Sequence, residues 1–124
     1  MARAEGDRLV EHKTGTRYVQ GRTSAGGWSQ QRYARRRAHQ AEGLVAAVAE
    51  VAHRIVLTDL PEALVLGGDR RLGQQVLARP ELARLAGLPR RELTDIADPR
   101  FAVLQRSLVR GRSVAITVRN RHRP

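Results

Sequence analysis

The sequence has no cysteine, and it contains few aromatic residues and few acidic ones. Without cysteine the chain can form neither disulfide bonds nor thiolate metal sites, which indicates a reducing environment such as the cytoplasm. No apolar run approaches the roughly 20 residues that span a bilayer, and the first residues lack the apolar core of a signal peptide. These absences predict a soluble, cytoplasmic protein that does not contact a membrane.

The shortage of acidic residues leaves a large positive charge. Twelve acidic residues stand against 23 basic ones, for a formal net charge of +11, and all but one of the basic residues are arginine. A GC-rich genome favours arginine codons, but codon bias does not explain the excess of base over acid. The imbalance indicates a polyanionic partner, and nucleic acid is the most common such partner.

The length and the scattered histidines bound what the chain can be. A chain of 124 residues, 41% of them hydrophobic, predicts one domain over residues 1–124 with a single modest core. No two of its four histidines stand at a ligand-like spacing with carboxylates, and the glycine turn at 66–73 lacks the lysine of a phosphate-binding loop. We therefore expect no metal ion and no cofactor.

The N-terminal half predicts a hairpin followed by one long helix. Residues 7–13 and 16–22 resemble two short strands joined by a turn at Gly15. From Ser29 to Leu57, apolar residues recur at alternating spacings of four and three, which predicts one core-facing helix side. The residues of that side are Ala34, Ala38, Ala41, Val45, Val48, Ala52 and Ile55.

The C-terminal half alternates predicted strands with predicted helices. The strands are expected at 62–68, 90–97 and 113–121. Asp69 and Asp98 are expected to cap two helices, the second closing at Gly111, and a short helix is expected between Pro80 and Gly87. This alternation predicts an α/β fold with a mixed sheet.

The segment 22–37, "RTSAGGWSQQRYARRR", is the most unusual stretch of the chain. No acidic residue occurs between Glu11 and Glu42. Gly26 and Gly27 permit backbone conformations closed to other residues and allow close approach to a ligand. Ser29 is expected to cap the long helix, so that Gln30 and Gln31 stand at its N-terminus among free N–H groups.

Basic and aromatic side chains surround these two glutamines. Trp28 can either fold onto the core or stack on a base. Arg32, Arg35, Arg36 and His39 follow at helical spacing and form one basic stripe. A second basic cluster, residues 100–123, holds seven arginines and no acid, and it either extends an RNA-binding surface or is a solvated helix face. Composition alone also permits a flexible connection with a solvated arginine face in place of a functional loop.

Three stretches together resemble a known family. They are "HKTGTRYVQGRTSAGGWSQQRYARRRAHQAEGLVAAVAEVA" (12–52), "ALVLGGDRRLGQQVL" (63–77) and "RRELTDIADPRF" (90–101). They resemble the catalytic domain of archaeal and eukaryotic class-I peptide release factors, in which a Gly-Gly-Gln loop precedes an arginine-rich helix. The closer resemblance is to the bacterial Vms-like release factors, relatives of the Vms/ANKZF peptidyl-tRNA hydrolases. The likeness covers about residues 8–119.

The resemblance implies a fold and a set of site residues. The implied fold is RNase H-like, with a mixed sheet and one long helix after the glycine loop. The Gly-x-x-Gln signature of the Vms-like branch falls on Gly27 to Gln30, which implies that Gly26, Gly27 and Gln30 are catalytic. An ungapped match to the release factors puts Trp28 where their glutamine lies, so Ser29 and Gln31 remain further candidates. The family fold also has strands before the hairpin, so this chain is either a fragment of a longer protein or has a sheet edge that something else covers.

The implied activity is hydrolysis of the peptidyl-tRNA ester on stalled large ribosomal subunits. Arg22, Trp28, Arg32, Arg35, Arg36 and Arg37 would contact the ribosomal RNA and the tRNA. The loop has no carboxylate and its only nearby imidazole is His39, so a glutamine amide that orients water is favoured over a general base. Two alternatives remain: a nuclease that cuts the tRNA near its 3′ end, and a non-catalytic ribosome-binding domain.

Overall fold

The computed structural model describes residues 1–15 and 28–119. The described strands are β1 (Ala2–Glu5), β2 (Arg8–His12), β3 (Leu64–Gly67) and β4 (Arg90–Leu93). The described helices are α1 (Trp28–Val56), α2 (Arg70–Leu77), a 3₁₀ helix (Pro80–Leu85) and α3 (Phe101–Arg112). The predicted α/β class is confirmed. The described strands form two separate two-stranded sheets, so the RNase H-like arrangement of one mixed sheet stays a prediction.

The first sheet is a hairpin, but its pairing differs from the predicted one. Strand β2 lies within the predicted strand 7–13, yet it pairs antiparallel with β1 through a two-residue turn that follows Glu5. Gly6 has a φ of +62°, which is the conformation such a turn requires. Strand β1 was missed because "ARAE" carries no alternating apolar pattern. The predicted partner, 16–22, lies outside the described residues.

Helix α1 confirms the predicted long helix to within one residue at each end. Its 29 residues correspond to a length of about 43 Å. Ser29 was expected to be the N-cap but lies inside the first turn, because the helix already begins at Trp28. The predicted core-facing side is correct only for the C-terminal half of the helix, where Val45, Ala52 and Ile55 are buried.

The core forms where α1 meets α2 and the 3₁₀ helix. Ile55 of α1 and Leu82 of the 3₁₀ helix are fully buried. Burying a side chain of this size contributes about 1.5–3 kcal/mol to folding stability. The buried residues of this core are Val45, Ala49, Ala52, Ile55, Val56, Val76, Leu82 and Leu85.

The second sheet separates this core from α3. Strands β3 and β4 are parallel, and α2 and the 3₁₀ helix connect them. Leu64 packs against the core cluster. Val65, its neighbour in the strand, lies against Gly111 of α3. Because successive strand residues face opposite sides, α1 and α3 lie on opposite sides of this sheet.

The helix caps and the last predicted strand gave mixed outcomes. Asp69 caps α2 as predicted, since its Oδ1 accepts a hydrogen bond of 3.0 Å from the backbone N–H of Leu72. Asp98 does not cap α3, because the helix begins at Phe101 and its N-cap is Arg100, without a side-chain cap bond. The prediction of a strand at 113–121 is wrong for 113–119, which form no strand. Residues 120–121 lie outside the described part.

Gly111 was expected to close α3, but it lies inside the last turn of the helix. Gly87 was expected as a C-cap, yet the cap of the 3₁₀ helix is Ala86. Within residues 1–15 and 28–119, no helix is both long enough and apolar enough to cross a bilayer.

Candidate functional site

The predicted site residues that the structure describes lie in the first three turns of α1. Ser29, Gln30 and Gln31 occupy the first turn after Trp28. The arginines predicted to bind RNA follow on the same helix, at Arg32, Arg35, Arg36 and Arg37. Gly26, Gly27, Arg22 and the side chain of Trp28 lie outside the described residues, so their predicted roles stay predictions.

This part of α1 is exposed on every side. All eight residues 29–36 are exposed to solvent, and eight consecutive residues cover more than two full turns of a helix. Among residues 29–56 of α1, the first buried residue is Val45, about 25 Å along the helix from its start. We call residues 28–36 the arm, because this stretch of helix extends past the core.

Because the arm is exposed, the prediction that its apolar residues face the core is wrong. Ala34 and Ala38 were expected to face the core, and both are exposed. The spacing was correct, but alanine buries too little apolar surface to require a packing partner. The helix therefore continues beyond the core with its apolar spacing intact and its apolar side uncovered.

The basic stripe and Gln30 face different directions. At 100° per residue, Arg32, Arg35, Arg36 and His39 cluster on one side of α1, about 140° from the side that carries the buried residues. Gln30 points about 170° away from the centre of the stripe, and Gln31 about 90° away. A ligand atom held by Gln30 and a phosphate held by the stripe therefore lie on different sides of the helix.

The arm carries positive charge where a helix ordinarily carries negative charge. The first turn of α1 has no acidic residue, and the free N–H groups and macrodipole already make this end positive. Each arginine near the N-terminus opposes helix stability by a fraction of a kcal/mol, up to about 1 kcal/mol. An anionic ligand would remove this cost.

The nearest carboxylate on α1 is engaged elsewhere. Glu42 accepts a hydrogen bond of 2.9 Å from Arg79, and Arg79 also binds Glu81 at 3.0 Å. The pKa of Glu81 is lowered, first by a hydrogen bond from its own backbone N–H and then by Arg79. Because its pKa is lowered, the Glu81 carboxyl stays charged at neutral pH. Its ion pair with Arg79 is lost only as the pH falls through that pKa. Glu42 and Glu81 are thus paired with Arg79, and no ion pair within the described residues involves an arginine of the stripe.

Sequence reasoning missed one exposed aromatic side chain of the arm. Tyr33 is 37% exposed and stands three residues after Gln30, so the two are neighbours on the helix surface. Its signal was rarity, since aromatic residues make up only 3% of the chain. An exposed phenol ring beside an amide can stack on a base or a ribose.

The arm offers neutral and cationic groups. An amide side chain both donates and accepts hydrogen bonds, and it does so without titrating. Within the described ranges, no three histidine or carboxylate side chains are grouped closely enough to hold a metal ion. The arm can thus orient a polar molecule next to a polyanion.

The comparisons with known proteins identify one family. The family model described as the Actinobacteria/chloroflexi VLRF1 release factor matches residues 1–117, nearly the whole chain. No curated protein and no solved structure gives a significant match.

Proposed function

Because the chain belongs to the Actinobacteria/chloroflexi VLRF1 release factor family, we propose that it hydrolyses the ester between a nascent peptide and tRNA. The proposed substrate is peptidyl-tRNA on a stalled large ribosomal subunit, which places the reaction in the cytoplasm. Release-factor membership supports the interaction with the ribosome. The observation that carries the chemistry is the arm, which presents two exposed glutamines beside arginines that form no ion pair within the described residues.

The reaction consumes one water molecule. Its oxygen attacks the ester carbonyl carbon, and the bond between that carbon and the ribose oxygen breaks. One proton of the water reaches the leaving ribose oxygen, so the products are a peptide carboxylic acid, which loses its remaining proton to solvent, and a tRNA with an intact 3′ end. An ester needs little activation beyond placement of the water and stabilisation of the developing oxyanion.

Gln30 is the residue proposed to place the water. Its amide oxygen would accept a hydrogen bond from the attacking water, and its amide N–H would donate to the oxyanion. Gly26 and Gly27 would contribute backbone N–H donors and keep the loop narrow. Ser29 and Gln31 are the further candidates, and Gln31 lies nearer the stripe.

The arginines are proposed to dock the arm. Arg32, Arg35 and Arg36 would pair with phosphates of ribosomal RNA or tRNA on the stripe side of α1, while Gln30 faces the acyl group on the other side. Arg22, Arg37 and Trp28 would add contacts around the loop. The exposed length of the arm supports this role, because a single helix of about 10 Å diameter enters a narrow RNA cavity more readily than a whole domain.

The test compares single amide deletions on large subunits that carry peptidyl-tRNA. We expect Gln30→Ala to slow peptide release by about 10²–10³-fold, the loss seen when one oxyanion donor is removed. Gln75→Ala is the matched control, since Gln75 is an exposed glutamine on α2. Binding to the subunits, measured by co-sedimentation, should be unchanged in both variants.

Three other outcomes would redirect the assignment. If Gln31→Ala abolishes release and Gln30→Ala does not, the catalytic residue is Gln31. If the tRNA product lacks its 3′ CCA end, the enzyme cuts a phosphodiester instead of the ester. If the native chain binds subunits and releases nothing, the domain is a ribosome-binding module without catalysis.

A further inference from the structure

The outward side of α3 is a second basic surface, separate from the arm. At 100° per residue, Val103, Leu104, Ser107, Leu108 and Gly111 turn toward the protein, and each is buried or half-buried. The opposite side carries Ala102, Gln105, Arg106, Val109 and Arg112, all exposed. Val109, 69% exposed, is at the centre of this side. Arg106 and Arg112 flank it at about 60° on either side.

No side-chain carboxylate of the described residues neutralises this surface. Residues 99–119 contain five arginines and no acid. Ion pairs in the described chain involve Arg3, Arg70 and Arg79, as between Arg70 and Glu92 and between Arg79 and Glu42. All 12 acidic residues lie in the described part, and none is within ion-pair distance of Arg106 or Arg112 there.

Two neighbouring arginines, Arg91 and Arg110, hydrogen-bond to backbone carbonyl oxygens, unlike Arg106 and Arg112. Arg91 donates hydrogen bonds to the carbonyl oxygens of Gly111 and Ser113 at the end of α3. Arg110 donates to the carbonyl oxygen of Thr94 at 3.1 Å. These bonds fasten α3 to β4 and the residues after it. Arg106 and Arg112 make no such bonds in the described part.

Helix stability alone does not account for these charges. Basic residues in the last turn, Arg110 and Arg112, suit the helix macrodipole. Arg100 at the N-cap opposes it, and no acid in the first turn compensates. Arg106 and Arg110 form a like-charge pair at i, i+4, which costs about 0.2–0.5 kcal/mol. An anionic partner would offset these costs.

We propose that the outward side of α3 binds the phosphate backbone of RNA, as a second RNA-binding surface on the far side of the β3–β4 sheet from α1. The planar guanidinium groups of Arg106 and Arg112 pair with phosphate oxygens through two hydrogen bonds each. Gln105 adds an amide donor for phosphate or ribose oxygens.

RNA is favoured over an acidic protein by the composition of this side. Protein interfaces depend on a buried cluster of aromatic or large apolar anchors. Among large apolar side chains, the outward side of α3 offers only Val109, while the ring of Phe101 at the start of the helix, 44% exposed, packs at a tilt against His12 with the centroids 4.7 Å apart. Binding to a sugar–phosphate backbone requires only well-placed cations and donors.

The experiment measures RNA binding without ribosomes, so it does not depend on the proposed hydrolysis. The probe is a fluorescein-labelled single-stranded RNA of about 20 nucleotides, and its Kd is measured by anisotropy across a salt series. The full chain carries Arg32→Gln, Arg35→Gln and Arg36→Gln, which weakens binding to the stripe of α1. Onto this background we add either Arg106→Gln with Arg112→Gln or the control pair Arg71→Gln with Arg84→Gln.

The two pairs remove equal charge from exposed positions, so bulk charge alone would affect them equally. If two phosphate contacts are lost, the slope of log K against log salt should fall by about 1.4, which is about 25-fold in affinity at 100 mM salt. The control pair should change the slope by less than half of that. Far-UV circular dichroism confirms that each variant is folded.

Two results would overturn the proposal that the outward side of α3 binds RNA. Equal effects of the two pairs would mean that net charge, and not α3, attracts the RNA. Loss of binding to polyglutamate with RNA binding unchanged would mean that the surface takes an acidic protein. Neither result bears on Gln30, and failure of Gln30→Ala to slow release would leave the RNA measurement unaffected.

Discussion

At the scale of single residues, the direction in which Gln30 points constrains how a substrate can lie against the arm more than its exposure does. The release reaction proposed for Gln30 and the phosphate binding proposed for the stripe would use opposite sides of a helix about 10 Å wide. If the proposed roles hold, the tRNA acceptor end and the docking RNA would pass on either side of the arm. Gln31, which is closer to the stripe, would instead serve a substrate whose ester and phosphates lie on one side. Comparing the two alanine variants thus also shows how the substrate lies.

Tyr33 gives a prediction at this scale. It neighbours Gln30 on the arm and is exposed, so its ring can stack on the terminal base or ribose of the tRNA. We expect Tyr33→Ala to raise the KM for peptidyl-tRNA by about 5–150-fold, the range of one stacking contact of about 1–3 kcal/mol. Steady-state release kinetics on loaded subunits would measure this.

Tyr33→Phe is the matched control, because it retains the ring and loses only the hydroxyl. It should keep a KM close to the native value. If the two variants raise KM equally, the hydroxyl and not the ring makes the contact. If neither changes KM, Tyr33 does not touch the substrate.

At the scale of elements, α1 shows both the strength and the limit of sequence periodicity. The apolar spacing located the helix to within one residue at each end, because the same spacing is maintained through 29 residues. It could not tell that only the C-terminal half is covered. Ala34 and Val45 occupy equivalent positions in the pattern, but burial of the valine yields far more free energy. Which apolar residues are covered depends on where α2 and the 3₁₀ helix end.

The pairing of β1 with β2 was not predicted, and the prediction of a strand at 113–119 was wrong, for a different reason. Strand pairing is a property of two segments, and β1 has no apolar alternation that would identify it alone. Residues 113–119 have a clear alternation, yet they form no strand, and Val114, Ile116 and Val118 are exposed. A pattern states which side of a strand would be apolar, but it does not supply the neighbouring strand. The charge of the arm, by contrast, was readable directly, because it depends only on composition.

Gly111 carries the prediction at the element scale. It seats α3 on β3, since a Cβ added there would lie 2.5 Å from Cγ2 and 3.0 Å from Cγ1 of Val65. Alanine at this site gains about 1 kcal/mol of helix propensity but forces the helix away from a β-branched side chain with few rotamers. We expect Gly111→Ala to lower the free energy of unfolding by about 1–3 kcal/mol, the usual cost of overpacking. Denaturant unfolding measures it.

A double-mutant cycle separates this contact from other effects. Val65→Ala makes room for the added methyl group, so combining it with Gly111→Ala should cost less than the sum of the two single changes. Gly73→Ala is the control, because nothing lies within 4 Å of a Cβ at that helical glycine. It should stabilise the protein or leave it unchanged. Strict additivity of the Gly111 and Val65 changes would show that α3 is not seated through this contact.

At the scale of the whole molecule, the two basic surfaces lie on two helices of the same fold, α1 and α3. The arm and the outward side of α3 lie on opposite sides of the β3–β4 sheet and share no residue. A large RNA that reaches both surfaces binds the second one in an intramolecular step, so its affinity reflects both sets of contacts. A short RNA that reaches only one surface at a time cannot gain from the other.

The difference between a large RNA that reaches both surfaces and a short RNA that reaches one leads to a prediction about whether losses in binding free energy add. On large ribosomal subunits, the losses in binding free energy from the Arg32, Arg35 and Arg36 substitutions and from the Arg106 and Arg112 substitutions should add, because the sites are separate. The combined five-residue variant would then lose about 3.5 units of salt slope, about 0.7 for each contact. Co-sedimentation across a salt series gives this number.

On a single-stranded RNA of about ten nucleotides, the same substitutions should act separately. The native chain should bind two such molecules, and each set of substitutions should remove one site without weakening the other. Isothermal titration calorimetry reports both the stoichiometry and the Kd. If the short RNA binds once and both sets of substitutions weaken that single event, the two surfaces form one continuous groove. The arm and α3 would then grip the same strand, and the sheet between them would not separate two RNA contacts.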